Sequence, residues 1–474
     1  MSSPRPSPST RTSSSASTHT TTFTNNDRTF SLSPTTLTTL DHAFANLPIA
    51  SRPDSLATLT TLTAHLGGHS LFARPIDAAE TVVWLLDNTA YRVEGCAEQP
   101  WRVQPWETVV TAACFLRESG RSGVGEEEAR RSAVRRVVRL IAEVAEMPRT
   151  QEVERMIEKR LGPWLMRRVV GRTLDVRFAE HVRRGHHPSH AILQGEAMML
   201  VPTEADGVSR AVLRLPEDEY KDGEALEVFA AASAEGSLSA TTQTCSGRGW
   251  AVVSTVEVTL WQMESIEPKT IFRKAFVDQP TTIDYMPELL EHMRVELETS
   301  HFWYLANAPV SLYPILRELR EQSYPPGTIL LRDGSWTTAS GLLASFLRGV
   351  KEHKLEQLQK LYSTFPRRSV ILLGSCSLVC PSLTCSRKVP ANSAQVDPEV
   401  FAEIYRQYPG WVRAIYVRFD GPESLLVPSP HQGATKKMVE NIFKGIPKTV
   451  WCIFSKPHEI HERISSLGKS SIET

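Results

Sequence analysis

Short apolar runs recur through the C-terminal half of the chain at Trp250 to Ser254, Phe302 to Leu305, Thr328 to Leu331, Ser369 to Leu373 and Ala414 to Val417, each bounded by turn or polar residues. Between them Leu312, Ile315, Leu316 and Leu319, and again Leu355, Leu358 and Leu361, fall at helical spacing. Strands alternating with helices predict an α/β unit built on a parallel sheet covered on both faces. In open sheets of this kind ligands sit beyond the carboxyl ends of the strands. That rule directs attention to Thr255 and Glu257 after the first run, Ala306 to Ala308 after the second, and Gly374 with Ser375 after the fourth.

The rest of the chain reads differently. At 474 residues and 41% apolar content it is long enough for two or three domains. Residues 1–35 are rich in Ser, Thr and Pro, buriable apolar area is scarce, and a disordered tail is expected. Arg5, Arg11 and Arg28 against a single acid, Asp27, leave a mitochondrial transit segment as the alternative. Residues 36–165 read as helical. Within them Val134, Val137, Val138, Ile141, Val144 and Ala145 recur at three- and four-residue steps opposite Arg131, Arg135, Arg136 and Arg139. Such a helix packs its apolar face on a core, as is the norm, or lies on an anionic membrane. Strand-like runs at Thr173 to Phe178, Ala191 to Val201, Ala211 to Leu215 and Leu226 to Ala231 predict a small antiparallel β module at 166–248. The α/β unit then spans 249–455, with 456–474 as a C-terminal tail.

Basic and acidic residues number 53 each, so no global field argues for nucleic acid. No apolar run approaches the length of a membrane span, and any membrane contact is expected to be peripheral. The seven cysteines form no disulfide framework and no secretory apolar core follows Met1, so a cytoplasmic, reducing compartment is expected.

Six blocks carry a family resemblance: Tyr304 to Pro314 (Y-L-A-N-A-P-V-S-L-Y-P), Pro325 to Asp333 (P-P-G-T-I-L-L-R-D), Lys351 to Leu355 (K-E-H-K-L), Leu372 to Ser375 (L-L-G-S), Gln395 to Ile404 (Q-V-D-P-E-V-F-A-E-I) and Ala414 to Arg418 (A-I-Y-V-R). In this order they resemble the catalytic domain of the actin-patch-protein type of phosphatidate phosphatase, within the haloacid dehalogenase superfamily. Asp87 to Arg92 (D-N-T-A-Y-R) and Val169 to Phe178 (V-V-G-R-T-L-D-V-R-F) resemble the amino-terminal half of fungal members. The resemblance implies a Rossmann-like parallel sheet of the haloacid dehalogenase type, dephosphorylation of phosphatidate to diacylglycerol, a magnesium cofactor, and a lipid-phosphate substrate. It also implies partners among cortical actin-patch or endocytic proteins.

Carried over position by position, the resemblance implies a degenerate site. The family's first-strand motif D-x-D-x-T supplies an aspartate nucleophile, which also ligates magnesium, and an aspartate acid/base. Here the corresponding residues are Thr255, Glu257 and Thr259. A threonine hydroxyl is neutral, a poor nucleophile without a base and a poor magnesium ligand. The phosphoryl-holding serine of the second motif is replaced by Ala306, while Lys354 matches the lysine that neutralises the phosphoryl group. In Gly374-Ser375-Cys376-Ser377 the fourth motif has Ser375 where the metal-binding aspartate stands. The expectation is therefore a pseudoenzyme. An unusual active site built on Glu257 and Lys354, or a non-catalytic interaction module, remain the alternatives.

An insertion at 376–393 separates the fourth motif from the equivalents of Gln395 and Asp397, and on a second alignment Asn392 takes the metal position. Cys376, Cys380 and Cys385 in it lack a C-x-x-C pair and a clear fourth ligand, which argues against zinc. His186, His187 and His190 read as an exposed loop. Ser254, His353 and Asp333 make no triad by any sequence criterion.

Overall fold

The computed structural model describes residues 34–45, 74–92, 105–117, 124–179, 196–216, 220–263, 267–299, 301–333, 338–377, 396–420 and 430–470. The chain is an α/β protein. Its C-terminal half contributes strands β1 (Trp250–Thr255), β2 (Phe302–Pro309), β3 (Thr328–Arg332), β4 (Ser369–Ser377), β5 (Val412–Asp420) and β6 (Trp451–Phe454). They form one sheet in the order β3-β2-β1-β4-β5-β6, with every neighbouring pair parallel. In this doubly wound order the winding reverses between β1 and β4, which opens a crevice beyond their carboxyl ends.

Both faces of the sheet are covered, so its central strands are apolar almost throughout. Val252, Tyr304, Ile371 and Tyr416 face one cluster, and Ala251, Val253, Trp303, Leu305 and Leu372 face the other, the two-residue period of a strand.

The N-terminal half differs from the sequence reading. Residues 36–165 are not helical throughout: helices Val124–Val144 and Gln151–Leu161 are present, but Thr81–Leu86, Asn88–Arg92 and Trp106–Leu116 are strands. Residues 81–86 are buried at every position, as in a strand covered on both faces, and their Thr-Val-Val-Trp run favours β geometry. The module expected at 166–248 is accordingly part of a nine-stranded sheet that includes these upstream strands. That sheet is mixed, because Asn88 to Tyr91 pair in parallel with Thr242 to Cys245.

The apolar face of Val124–Val144 lies in the core through Val137, Val138 and Ile141. Of the expected tail, residues 1–33 lie outside the described residues; the helix Pro34–Ala45 buries Leu37, Leu40 and Phe44. The last stretch is no tail either. Ile460 and Ile464 are buried, and in the helix His461–Ser470 a Cβ at Gly468 would come 2.2 Å from the carbonyl oxygen of Glu296. No helix among the described residues is long and apolar enough to cross a membrane.

The two sheets are tied by buried polar contacts. Arg320 forms an ion pair with Asp87, whose other oxygen accepts from the backbone N–H of Thr241 at 2.7 Å. The hydroxyls of Thr89 and Thr328 lie 2.7 Å apart, and Trp303 Nε1 donates to Thr89 at 3.1 Å. Removing one partner of a buried pair strands the other charge, at a cost of about 3–5 kcal/mol. Arg320→Ala is expected to lose stability of that order in urea unfolding; a loss within experimental error would show that the tie contributes nothing.

Candidate functional site

The chain turns sharply after β1. Val258 sits at φ 65, a region that costs a β-branched residue of order 1–3 kcal/mol. Arg418 from β5 holds this turn by donating from Nη2 to the Val258 carbonyl at 2.7 Å. The turn brings the Thr259 hydroxyl back to the Thr255 hydroxyl at 2.7 Å. Backbone strain is thus stored where the crevice opens.

Thr255 then donates to Oδ2 of Asp397 at 2.8 Å. Asp397 stands in the first turn of the helix Val396–Gln407, a position that favours an acid. The same oxygen accepts the backbone N–H of Ser375 at 3.0 Å, and Oδ1 takes Nζ of Lys354 at 2.5 Å. Lys354 projects from the helix Val350–Thr364. All four residues are buried, between 1% and 8% exposed, so each hydrogen bond is made out of reach of bulk water. Gly374 is required for this approach: a Cβ there would lie 2.8 Å from Asp397 Oδ2 and 2.6 Å from the Phe401 ring.

Glu257 is turned to Asn307 at the end of β2. One oxygen accepts the Asn307 backbone N–H at 2.8 Å and the other its side-chain amide at 3.2 Å. Burial pushes the Glu257 carboxyl up, with Lys354 acting against it. Asn307 Oδ1 is buried without a hydrogen-bond partner. His353 Nε2 lies 3.0 Å from the Ala306 carbonyl, and burial pulls the ring down from 6.5 to about 4. The ring is therefore neutral at pH 7 and donates Nε2–H to that carbonyl.

The six positions singled out from sequence thus meet beyond β1, β2 and β4. Thr255 and Thr259 touch, Lys354 and Ser375 meet through Asp397, Glu257 reaches β2 through Asn307, and Ala306 is held by His353. Asn392, Cys380, Cys385, His186, His187 and His190 lie outside the described residues, while Cys376 is buried in β4. Ser254 donates to the Thr255 carbonyl and Asp333 pairs with Arg210 at 2.6 Å, so neither joins His353 in a triad.

Two residues carry more than the sequence reading gave them. Asp397 is the hub of the site and Asn307 holds its other acid. The signal for Asp397 was an acid followed by Pro and Glu at a helix start.

A second cluster lies at the opposite, amino-terminal end of the strands. Asp222, Cys245 and His301 offer ligand atoms within 4.8 Å of one another. Arg368 Nη2 donates to both Asp222 oxygens at 2.8 and 2.9 Å, while His301 Nε2 lies 2.9 Å from the same carboxylate. The guanidinium supplies the positive charge a metal would bring, so the cluster reads as a structural tie. Partial burial works to raise the Asp222 carboxyl, but hydrogen bonds from His301 and the Ser246 backbone, with Arg368 nearby, hold it well below the usual range.

Residues 250–377 match the family described as Phosphatidate phosphatase APP1, catalytic domain. Phosphatidate phosphatase APP1 of Saccharomyces cerevisiae (strain ATCC 204508 / S288c) is 23% identical over 208 residues, 44% of this chain. The match covers 29% of that protein's own length. Among solved structures, a point mutant of the PilB minor pilin from Streptococcus sanguinis aligns over 63% of this chain and 88% of that one, at 9% identity. Its TM-score of 0.22 is too low to carry an argument about fold.

Two outcomes are expected from this geometry. Since the folded His353 binds its proton only near pH 4 and the unfolded one near 6.5, the residue contributes stability at neutral pH that is lost as pH falls through that window. His353→Gln is expected to shrink the pH dependence of unfolding between those limits by about 3 kcal/mol, read against wild type. Gly374→Ala is expected to displace Asp397 and Phe401 and lower stability by about 1–3 kcal/mol in the same measurement; an unchanged unfolding midpoint would refute the packing argument.

Proposed function

We propose that this relative of the APP1-type phosphatidate phosphatases keeps the phosphatase fold but does not turn over phosphatidate. The observation that carries the reading is the hydroxyl of Thr255 where the family's nucleophilic carboxylate stands, hydrogen-bonded to Asp397 at 2.8 Å. A threonine attacks phosphorus only with a base to take its proton. The carboxylate beside it is already engaged by Lys354 and by the Ser375 N–H. Membership of the haloacid dehalogenase superfamily is part of the same reading, supported by the parallel order β3-β2-β1-β4-β5-β6.

The residues present do not fit magnesium. Thr255 and Ser375 offer neutral oxygens, and of the two carboxylates in the site Asp397 is paired with Lys354 while both oxygens of Glu257 are held by Asn307. Magnesium held through one or two carboxylates depends heavily on each. Ala306, in place of a hydroxyl, leaves nothing on its side chain to hold a phosphoryl oxygen.

The test is phosphate release from short-chain phosphatidate by the purified full chain with magnesium. Release at the uncatalysed background is expected. Turnover abolished by Glu257→Gln would overturn the reading.

A further inference from the structure

We propose that the cleft between the outer edge of β3 and the mixed sheet binds one uncharged single-chain lipid, with its hydrocarbon lying along the strand. The site is separate from the crevice beyond β1 and β4: none of Thr255, Glu257, Ala306, Lys354, Ser375 and Asp397 lines it. It therefore stands whether or not that crevice turns over phosphatidate.

β3 ends the parallel sheet, with β2 as its one strand partner among the described residues. Beside it lies a cavity of about 330 Å³, within the range of about 300–1,000 Å³ usual for small-molecule sites. Every residue from Thr328 to Arg332 lines it. A cavity against one face of a strand meets alternate residues, so contact with each in turn places this one along the backbone edge. From first to last Cα the strand runs about 13 Å, at roughly 3.3 Å per residue. That is the reach of roughly ten extended chain carbons joined by bonds of about 1.5 Å.

The lining is largely apolar. Trp303 and Phe365, both almost fully buried, lie at its base, and Tyr91 meets Phe365 edge-on with ring centroids 6.4 Å apart. The mixed sheet contributes Val109 and Val208. Val109 is 42% exposed and its cross-strand partner Val212 59% exposed, so apolar surface continues outward from the cavity.

The charges around the cavity select against an ionic ligand. Arg210 pairs with Asp333 at 2.6 Å and Asp206 at 3.5 Å, Lys360 with Glu356 at 2.8 Å, and Asp87 with Arg320. Arg332 donates to the carbonyl oxygens of Ala344, at 3.4 Å, and Ser345. Every charged side chain of the lining is thus engaged within the protein, and an ionic head would have to displace a partner. Apolar surface remains for recognition, with uncharged groups such as the Thr111 hydroxyl and the Gln357 amide to take a neutral polar end.

The experiment titrates the full chain with 1-decanoylglycerol, decanoate or glycerol at neutral pH, read by calorimetry and by the unfolding midpoint. Wild type is expected to bind 1-decanoylglycerol at a single saturable site with a rise in midpoint, decanoate at least about tenfold more weakly, and glycerol not at all. Val109→Trp places a bulky ring at an exposed position of the lining and is expected to weaken 1-decanoylglycerol binding at least about tenfold. Val295→Trp, at an exposed position of the helix Met286–Glu296 outside the lining, is expected to leave it unchanged. Should Val109→Trp fail to fold, Thr111→Phe carries the same comparison. Four results would each overturn the proposal: no saturable binding by wild type, undiminished binding by the folded cavity variant, an equal loss in Val295→Trp, or decanoate bound as tightly as the neutral lipid.

Discussion

The buried contact between Lys354 and Asp397 is the constraint on which the site depends. Two charges taken out of water lose several kcal/mol of hydration each, and their mutual attraction offsets this only when the remaining acceptor sites are filled. Here the filling is done by Thr255 and Ser375, so the pair recruits the ends of β1 and β4 into one hydrogen-bonded unit. The consequence is a site that assembles around an ammonium supplied by the chain itself. It also explains why these positions belong together: loss of either charge would strand the other, and loss of the carboxylate would leave the Ser375 N–H without its acceptor.

The geometry that permits the contact follows from the sheet. In the order β3-β2-β1-β4-β5-β6 the strands that part to form the crevice are β1 and β4, and the pair sits at their carboxyl ends. Local conformations then adapt to it. Val258 holds a left-handed φ so that Thr259 returns to Thr255, and Gly374 gives up a side chain so that Asp397 can reach the strand. A β-branched residue in that conformation persists only where surrounding contacts over-determine it, as the Arg418 bond does here. The polar ties at Asp87, Thr89 and Asp222 join the parallel sheet to the mixed one at points away from this crevice.

The parallel sheet was legible because fully buried strands must be apolar runs, and Trp250 to Ser254 and Ser369 to Leu373 are apolar except for one terminal serine each. The same rule applied upstream would have found Thr81–Leu86, but the strong helical period at Val134 to Ala145 lent its character to the whole segment. The helix His461–Ser470 was missed because it is short and its packing, through Ile464 and the close approach of Gly468 to Glu296, is with a distant segment that no periodicity announces. At the site, residue types were readable from motif positions, so Thr255, Ala306, Lys354 and Ser375 were found. The hydrogen bonds that satisfy them were not, since Asp397 reaches the crevice from the far side of an insertion and Asn307 differs from its neighbours only in an amide.

Magnesium titration of the wild-type chain, followed by calorimetry, tests most directly whether the Lys354 ammonium is the cation of this site. No saturable heat of binding is expected, because the Asp397 oxygens are held at 2.5 to 3.0 Å by Lys354, Thr255 and Ser375. Saturable magnesium binding that disappears in Asp397→Asn would contradict it.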